Sequence, residues 1–287
     1  MNSSHPAPRI STADAIDRLR ADPEYAEWIR DNYLDREVLA AARRFEDSAE
    51  FEEVRRVLRG PLEGGVVLDF GAGNGVTSFA LARAGALRTY VVEAKAFPGA
   101  MIDQIARETP GEIEPLEGVT GEAIDLADAS VDAVYSRSAL HQLDDLVGAA
   151  REIRRVLRPG GLYLACREHV VERDSEVASF LGTDPLHRLA GGQAAYPIET
   201  YLEALRRGGL RVRRVWKPYD TMINAFPAVR SDEELRELRV RMLGPRMGSL
   251  RPRVAERLPV VGREVRRRLT ETTPPGSLWS ILARRRR

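Results

Sequence analysis

Three glycines spaced two apart, Gly71, Gly73 and Gly75, stand in the stretch LDFGAGNG between the apolar run VVLDF and the helical pattern VTSFALARAG. A strand, a bare turn and a helix make a ligand pocket, because missing Cβ atoms let a ligand reach the main chain and its unpartnered N–H groups. The spacing restricts the ligand. Dinucleotide sites use G-x-G-x-x-G so that a pyrophosphate meets the helix N-terminus, and here the third position of that pattern is Val76. A P-loop needs Gly-Lys-Ser/Thr, and no lysine is near. Asp69, two residues before Gly71, would repel a pyrophosphate and suits a cationic ligand. S-adenosyl-L-methionine (SAM) has no phosphate and carries an ammonium and a sulfonium. The next apolar run ends at Glu93, 22 residues beyond Gly71, where a carboxylate can accept both ribose hydroxyls.

These residues need a particular set of elements to hold them. Residues up to about 12 read as disordered, and from there to about 60 apolar residues recur at three- and four-residue spacing, as in amphipathic helices. Beyond GPLEGG, short apolar runs such as VVLDF, TYVVEA, VDAVYS and GLYLACRE alternate with helical patterns such as LVGAAREIRRVL and IETYLEALRRGG. That alternation is the signature of a parallel, doubly wound α/β sheet. Asp144 or Asp145 can cap the helix before Pro159-Gly160-Gly161, which turns the chain into the next strand. About 30 residues, 170–200, separate GLYLACRE from its helix, and about 58 separate RVRRVW from a last strand-like run, SLWSILA; loops that long usually carry function or structure of their own. The expected organisation is an N-terminal helical segment or lid over 1–60, a cofactor-binding core over 61–216 with a substrate-loop insertion at 170–200, and a helical cap insertion with a final strand over 217–287.

Composition bounds the class. Hydrophobic residues at 43% and charged residues at 30% are ordinary for a globular protein, and no apolar run reaches the length of a membrane span. The N-terminus lacks the charged-then-apolar order of a secretory signal, and the lone Cys166 suits a reducing compartment, so a cytoplasmic location is expected. The net charge of +1 hides an asymmetry: residues 206–287 carry 22 Lys+Arg against 8 Asp+Glu, a surplus of 14, which leaves −13 on the rest. Only Lys95 and Lys217 are lysines, so a general preference for arginine with a solvated basic face accounts for this more simply than a nucleic-acid partner. The last four residues, 284–287, are expected to fray.

With VVLDFGAGNG, the acid of VVEA and DASVDAVYSRSALHQLDDLVGAAREIRRVLRPGGLYLA in view, the chain resembles the class I SAM-dependent methyltransferases, in particular the group typified by ubiquinone and menaquinone biosynthesis enzymes. The likeness is close over about 62–170. It implies a Rossmann-like seven-stranded sheet of order 3-2-1-4-5-7-6 with the last strand antiparallel, SLWSILA being that strand, and N-terminal helices folded over the carboxyl edge. It implies further that Asp69, Gly71, Ala72, Gly73 and Asn74 line the methionine and ribose part of SAM, that Glu93 holds the ribose and that Ala94 lies beside the adenine. Glu122, with Gly121 and Ala123 as backbone neighbours, would meet the adenine amino group, and Ser136 the methionine end.

Methyl transfer from a sulfonium is an in-line displacement, so much of the catalysis is positioning, but an alcohol acceptor also needs a base for its proton. His141 and His169 follow the fourth and fifth strands, where ligands bind in such sheets. His141 matches a position that is often histidine in the family, with a structural or cofactor-side role. His169, flanked by Arg167 and Glu168, is the first choice of base, with Glu168 and His141 next and His187 further off. The segment LGTDPLHRLAGGQAAYP reads as a substrate loop, with His187, Arg188 and Tyr196 as acceptor contacts. REHV, DPLHRLAGGQAAYP, INAFP and PGSLWSILA resemble methyltransferases found with glycan-assembly enzymes, which points to oxygen methylation of a small-molecule or chain-end hydroxyl on a sugar or glycan. A natural-product or quinone-like acceptor, RNA methylation through the basic tail, and SAM binding without catalysis are the rival readings. The loop YSRS lacks the Asn/Asp-Pro-Pro-aromatic motif of adenine methylation, Cys166 follows Ala165 rather than proline, and no carboxylate set suggests metal-assisted catechol methylation; no metal is expected.

Overall fold

The computed structural model describes residues 10–93, 99–109, 112–116, 123–190, 195–241 and 274–287. Its strands are β1 Val66–Phe70, β2 Arg88–Val92, β3 Glu112–Pro115, β4 Val131–Arg137, β5 Leu157–Val171, the two-residue β6 Tyr196–Pro197, β7 Leu210–Trp216 and β8 Ser277–Arg285, and β1, β2 and β4 form where β-branched and aromatic residues run together. They order as β3-β2-β1-β4-β5-β8-β7, with β6 beside the end of β5. Among the described strands only β8 runs antiparallel to its two neighbours. This is the expected order with one short strand added.

Successive side chains on a strand point to opposite faces, and the core divides accordingly. Leu68 and Phe70 of β1, Val134 of β4 and Tyr163 and Ala165 of β5 pack with helices Leu146–Val156 and Ile198–Arg207 through Ile153, Tyr201 and Leu205. Val67, Ala133, Tyr135, Leu164 and Cys166 pack on the other face against helices Val38–Glu46, Ala49–Val57 and Val76–Arg83. Burying a side chain of the size of Phe45 or Phe51 is worth roughly 1.5–3 kcal/mol. Both are buried, so they anchor the N-terminal helices to the sheet.

Two local features orient side chains at the edges of the strands. Asp145 caps the helix after β4 by accepting from the Gly148 N–H at 2.8 Å. In β5 the register against β8 shifts between Ala165 and Glu168, and Arg167 there has a φ of 59°. A bulge of this kind re-aims side chains: Arg167 and Glu168, neighbours in sequence, are both buried and engage different partners.

The expected fraying of 284–287 gives way over its first half. Arg284 Nε donates to the Gly160 carbonyl at 2.8 Å, and the Arg285 guanidinium donates to the carbonyls of Arg154, Arg155 and Leu157 at the end of helix Leu146–Val156. A cation at a helix C-terminus satisfies orphan carbonyls and meets the negative end of the dipole, which holds this strand end down.

Candidate functional site

The glycine loop follows β1 in left-handed conformations, with φ of 75° at Gly71, 57° at Gly73 and 83° at Gly75. A Cβ on Gly71 would lie 2.6 Å from the Ala139 Cβ, so this position is bare for two reasons, conformation and close approach. The N–H groups of Gly71 and Ala72 both donate to the Val92 carbonyl, at 2.8 and 3.2 Å, and the Gly73 N–H donates to Glu93 Oε2 at 2.6 Å. Asn74 donates through Nδ2 to the Tyr33 carbonyl at 2.8 Å, fastening the loop to the N-terminal segment.

A cavity of about 590 Å³ opens on this loop, within the size range of small-molecule sites. Gly71, Ala72, Gly73, Asn74 and Glu93 line it, as do His141, His169 and His187. Ile16, Trp28, Tyr33 and Leu34 add an apolar wall from the N-terminal helices. The glycine loop, whose N–H groups at 71, 72 and 73 are held by Val92 and Glu93, and the Glu93 carboxylate form the wall that could hold an adenosine-type ligand.

Asp69 lies beneath the loop rather than on the cavity wall. It is fully buried, and its Oδ2 accepts from the hydroxyls of Thr77 at 2.5 Å and Ser78 at 2.6 Å. Burial pushes its carboxyl up to about 6, against the pull of those two hydroxyls.

The second wall is organised by Glu168. Its Oε1 accepts from the N–H groups of Ala139 and Leu140 at 3.2 and 3.1 Å, and its Oε2 from the N–H of His141 at 3.0 Å. The same Oε2 is 2.9 Å from His141 Nδ1. Burial pushes the Glu168 carboxyl up to about 7, while the three amides and His169 pull it down. A carboxylate at Nδ1 favours the tautomer with hydrogen on Nδ1 and the lone pair on Nε2.

His169 Nδ1 is 2.6 Å from the Gly276 carbonyl, which can only accept, so its lone pair is also on Nε2. Burial, reinforced by His141, pushes His169 down to about 3 and keeps it neutral. The ring centroids of His141 and His169 are 4.7 Å apart, and His187 lies 5.7 Å from each.

Beside the histidines, Arg137 donates to both oxygens of the fully buried Glu50, at 2.7 and 3.2 Å. Arg167 stands 3.7 Å from Glu50 and donates to the carbonyls of Ile223 and Phe226. One carboxylate thus serves two guanidinium groups, Arg167 buried and Arg137 partly buried, and both arginines line the cavity.

The residues singled out from sequence separate accordingly. The cavity brings together Gly71, Ala72, Gly73, Asn74, Glu93, His141, His169 and His187. Glu168 sits behind His141. Ser136 is fully buried, its Oγ 2.9 Å from the Tyr163 hydroxyl. Arg188 donates to the Tyr25 hydroxyl at an exposed position, and Tyr196 donates to the Leu143 carbonyl and borders a different hollow with Asp144 and Glu199. Ala94, Gly121 and Glu122 fall outside the described residues. Cys166 is buried and its thiol is pushed up by burial, so it packs rather than reacts. Sequence reasoning missed Glu50, Arg137 and Asp184, although Arg137, beside Ser136, and Asp184, in the substrate-loop segment, stood in stretches already under suspicion.

Comparison with known proteins agrees with this geometry. Residues 68–165 match the family described as a methyltransferase domain. A malonyl-[acyl-carrier protein] O-methyltransferase of Xylella fastidiosa (strain M23) is 36% identical over 101 residues, covering 34% of this chain and 33% of that protein. A cypemycin N-terminal methyltransferase of a Streptomyces species is 33% identical over 117 residues, covering 38% of this chain and 44% of that protein. The chain therefore spans between a third and a little under half of the length of these curated relatives. The structure of a candidate sarcosine dimethylglycine methyltransferase from Galdieria sulphuraria has a TM-score of 0.56 to this one at 16% identity, covering 87% of this chain and 88% of that one, a likeness of fold. Among the described residues no helix is long and apolar enough to cross a membrane.

Proposed function

We propose that this chain, which carries a class I SAM-dependent methyltransferase domain over residues 68–165, methylates a hydroxyl of a small molecule or chain end, a sugar or glycan in first place. The observation that carries this reading is that one cavity joins the Gly71–Gly73 loop and Glu93 to an imidazole backed by a buried carboxylate. SAM, when bound, supplies an electrophilic methyl group on a sulfonium that leaves as a neutral thioether. Gly71 and Gly73 let it approach the backbone, and Glu93 accepts the ribose hydroxyls. As the acceptor oxygen forms its bond to carbon, its proton passes to His141 Nε2, and Glu168 stabilises the imidazolium so formed. His169, the first choice of base from sequence, has the Gly276 carbonyl at its Nδ1 instead of a carboxylate, so an imidazolium there would lack the support that Glu168 gives His141. Its place beside His141 suits it to bind the acceptor.

The apolar wall of Ile16, Trp28, Tyr33 and Leu34 favours an acceptor with an apolar portion, which supports a natural-product or quinone-like molecule as the second reading. Isotopically labelled SAM incubated with sugars, glycan fragments and phenolic acceptors decides between them: labelled methyl ethers of sugars are expected. Label found only in amines or carboxyl esters would overturn hydroxyl transfer. Glu93→Ala is expected to weaken SAM binding about tenfold to a hundredfold, the worth of a charge-assisted hydrogen bond, and calorimetric binding equal to that of the unchanged protein would overturn the cofactor site.

A further inference from the structure

We propose that His141, His169 and His187 form a binding site for one divalent cation of the zinc class. Three of the four histidines in the chain come from separate elements, the turn after β4, the end of β5 and the helix Pro185–Ala190. Their rings converge on one cavity, with one ligand atom from each lying within 4.8 Å of the others. Chance does not readily place three of four such residues in one buried spot, and a core has little use for three clustered imidazoles.

The surroundings are those that metal sites use. A ligating histidine almost always gives its other ring nitrogen to a carboxylate or a backbone carbonyl, which fixes the tautomer and aims the lone pair at the metal. Both arrangements occur here: His141 Nδ1 is on Glu168 and His169 Nδ1 is on the Gly276 carbonyl. The His187 N–H donates to Asp184 Oδ1 at 2.9 Å, holding that helix end in place. Asp184 lines the same cavity, so Glu168 and Asp184 offset the charge of a dication held by neutral ligands.

The donor set selects the ion. Imidazoles suit zinc, copper, nickel and iron rather than magnesium or calcium, which want oxygen ligands. Three protein ligands leave a further position for water or substrate, as in catalytic rather than structural zinc sites. A search for carboxylate ligands in the sequence passes over this set, because its members are imidazoles 28 and 18 residues apart. The site lies in the cavity that takes the methyl acceptor under the proposed function, but the binding stands apart from that assignment. With a cation bound, His141 Nε2 would be a ligand and no longer a base, and the cation would supply Lewis acidity at an oxygen in its open position.

The test uses the full chain without an affinity tag, treated with chelator, dialysed and titrated with Co²⁺, with Zn²⁺ as competitor in calorimetry. One equivalent of Co²⁺ with visible bands of low coordination number is expected, displaced by Zn²⁺. His187→Ala and His169→Ala should each lower affinity about tenfold or more, and Glu168→Gln about tenfold to a hundredfold through His141. A cooperative urea unfolding transition close to that of the unchanged protein shows that His187→Ala is folded. Absence of saturable uptake, or equal affinity in the unchanged protein and His187→Ala, overturns the site. The readout is metal uptake, so its failure leaves the methyl-transfer reading standing, and failure of methyl transfer leaves this one standing.

Discussion

Replacing Gly71 with alanine tests how the cofactor loop and the histidine segment are joined. The left-handed conformation costs an L-residue roughly 1–2 kcal/mol, and Gly71 has a φ of 75°. The new Cβ would also stand 2.6 Å from the Ala139 Cβ, a separation that real contacts do not show, and overpacking of this kind costs roughly 1–3 kcal/mol. Together these predict a loss of about 2–5 kcal/mol. The two parts separate in a double-mutant cycle, because Ala139→Gly removes the clash and leaves the backbone strain. A coupling energy of about 1–3 kcal/mol is expected in urea unfolding at constant m-value. Ala139 gives its N–H to Glu168, so Gly71→Ala should also displace His141 and slow methyl transfer beyond any loss of SAM binding. A coupling below about 0.5 kcal/mol, or undiminished stability of Gly71→Ala, would refute the reasoning.

Other outcomes rest on the same geometry. His141→Ala should lower kcat by about a hundredfold or more, the usual worth of a general base, with little change in KM for SAM, whereas His169→Ala should lower turnover about tenfold and raise KM for the acceptor; the reverse ranking in steady-state kinetics would return the base to His169. Glu50→Gln leaves the buried Arg167 and the partly buried Arg137 without their shared anion and should cost about 3–5 kcal/mol in urea unfolding; a loss under about 1 kcal/mol would show the arginines to be solvated instead. Asp69 has its carboxyl raised from 3.8 to about 6, so folding binds a proton there. The stability this contributes is full below about pH 4 and is lost as pH rises through 6. Relative to Asp69→Asn, the unchanged protein should therefore lose up to about 3 kcal/mol between pH 4 and 6, and a pH-independent difference would show the carboxyl to be unperturbed.

What could be read in the sequence was whatever depends on neighbours along the chain. The glycine spacing and Glu93 at the end of the next strand made the cofactor wall legible, because strand, turn and helix are consecutive. The pattern of alternating elements together with the family likeness made the sheet order legible. Side-chain direction was harder. Ser136 stands at the end of β4, close to the cavity in sequence, yet its hydroxyl turns to Tyr163. Tyr196 and Arg188 belong to the segment that supplies His187 and still point elsewhere. Glu168 was singled out as a side chain for chemistry. Its hold on three backbone amides depends on the β5 bulge, which no periodicity announces. The pairing of Glu50 with Arg137 spans 87 residues and was out of reach of any local pattern.

The position of β8 inside the sheet bears on how the protein is made. It lies between β5 and β7, so the Gly276 carbonyl that orients His169 stands immediately before the last strand described, and the Ser280 hydroxyl that accepts the Arg167 N–H stands within it. During synthesis the glycine loop, β4 and His141 can assemble while β5 and β7 still present unpaired edges, which are sites for mispairing and aggregation. The cofactor wall can thus mature on the ribosome well before the acceptor wall. The growing chain therefore passes through a stage in which β1, the glycine loop and β4 are in place while the Gly276 carbonyl that fixes the His169 ring is still to come.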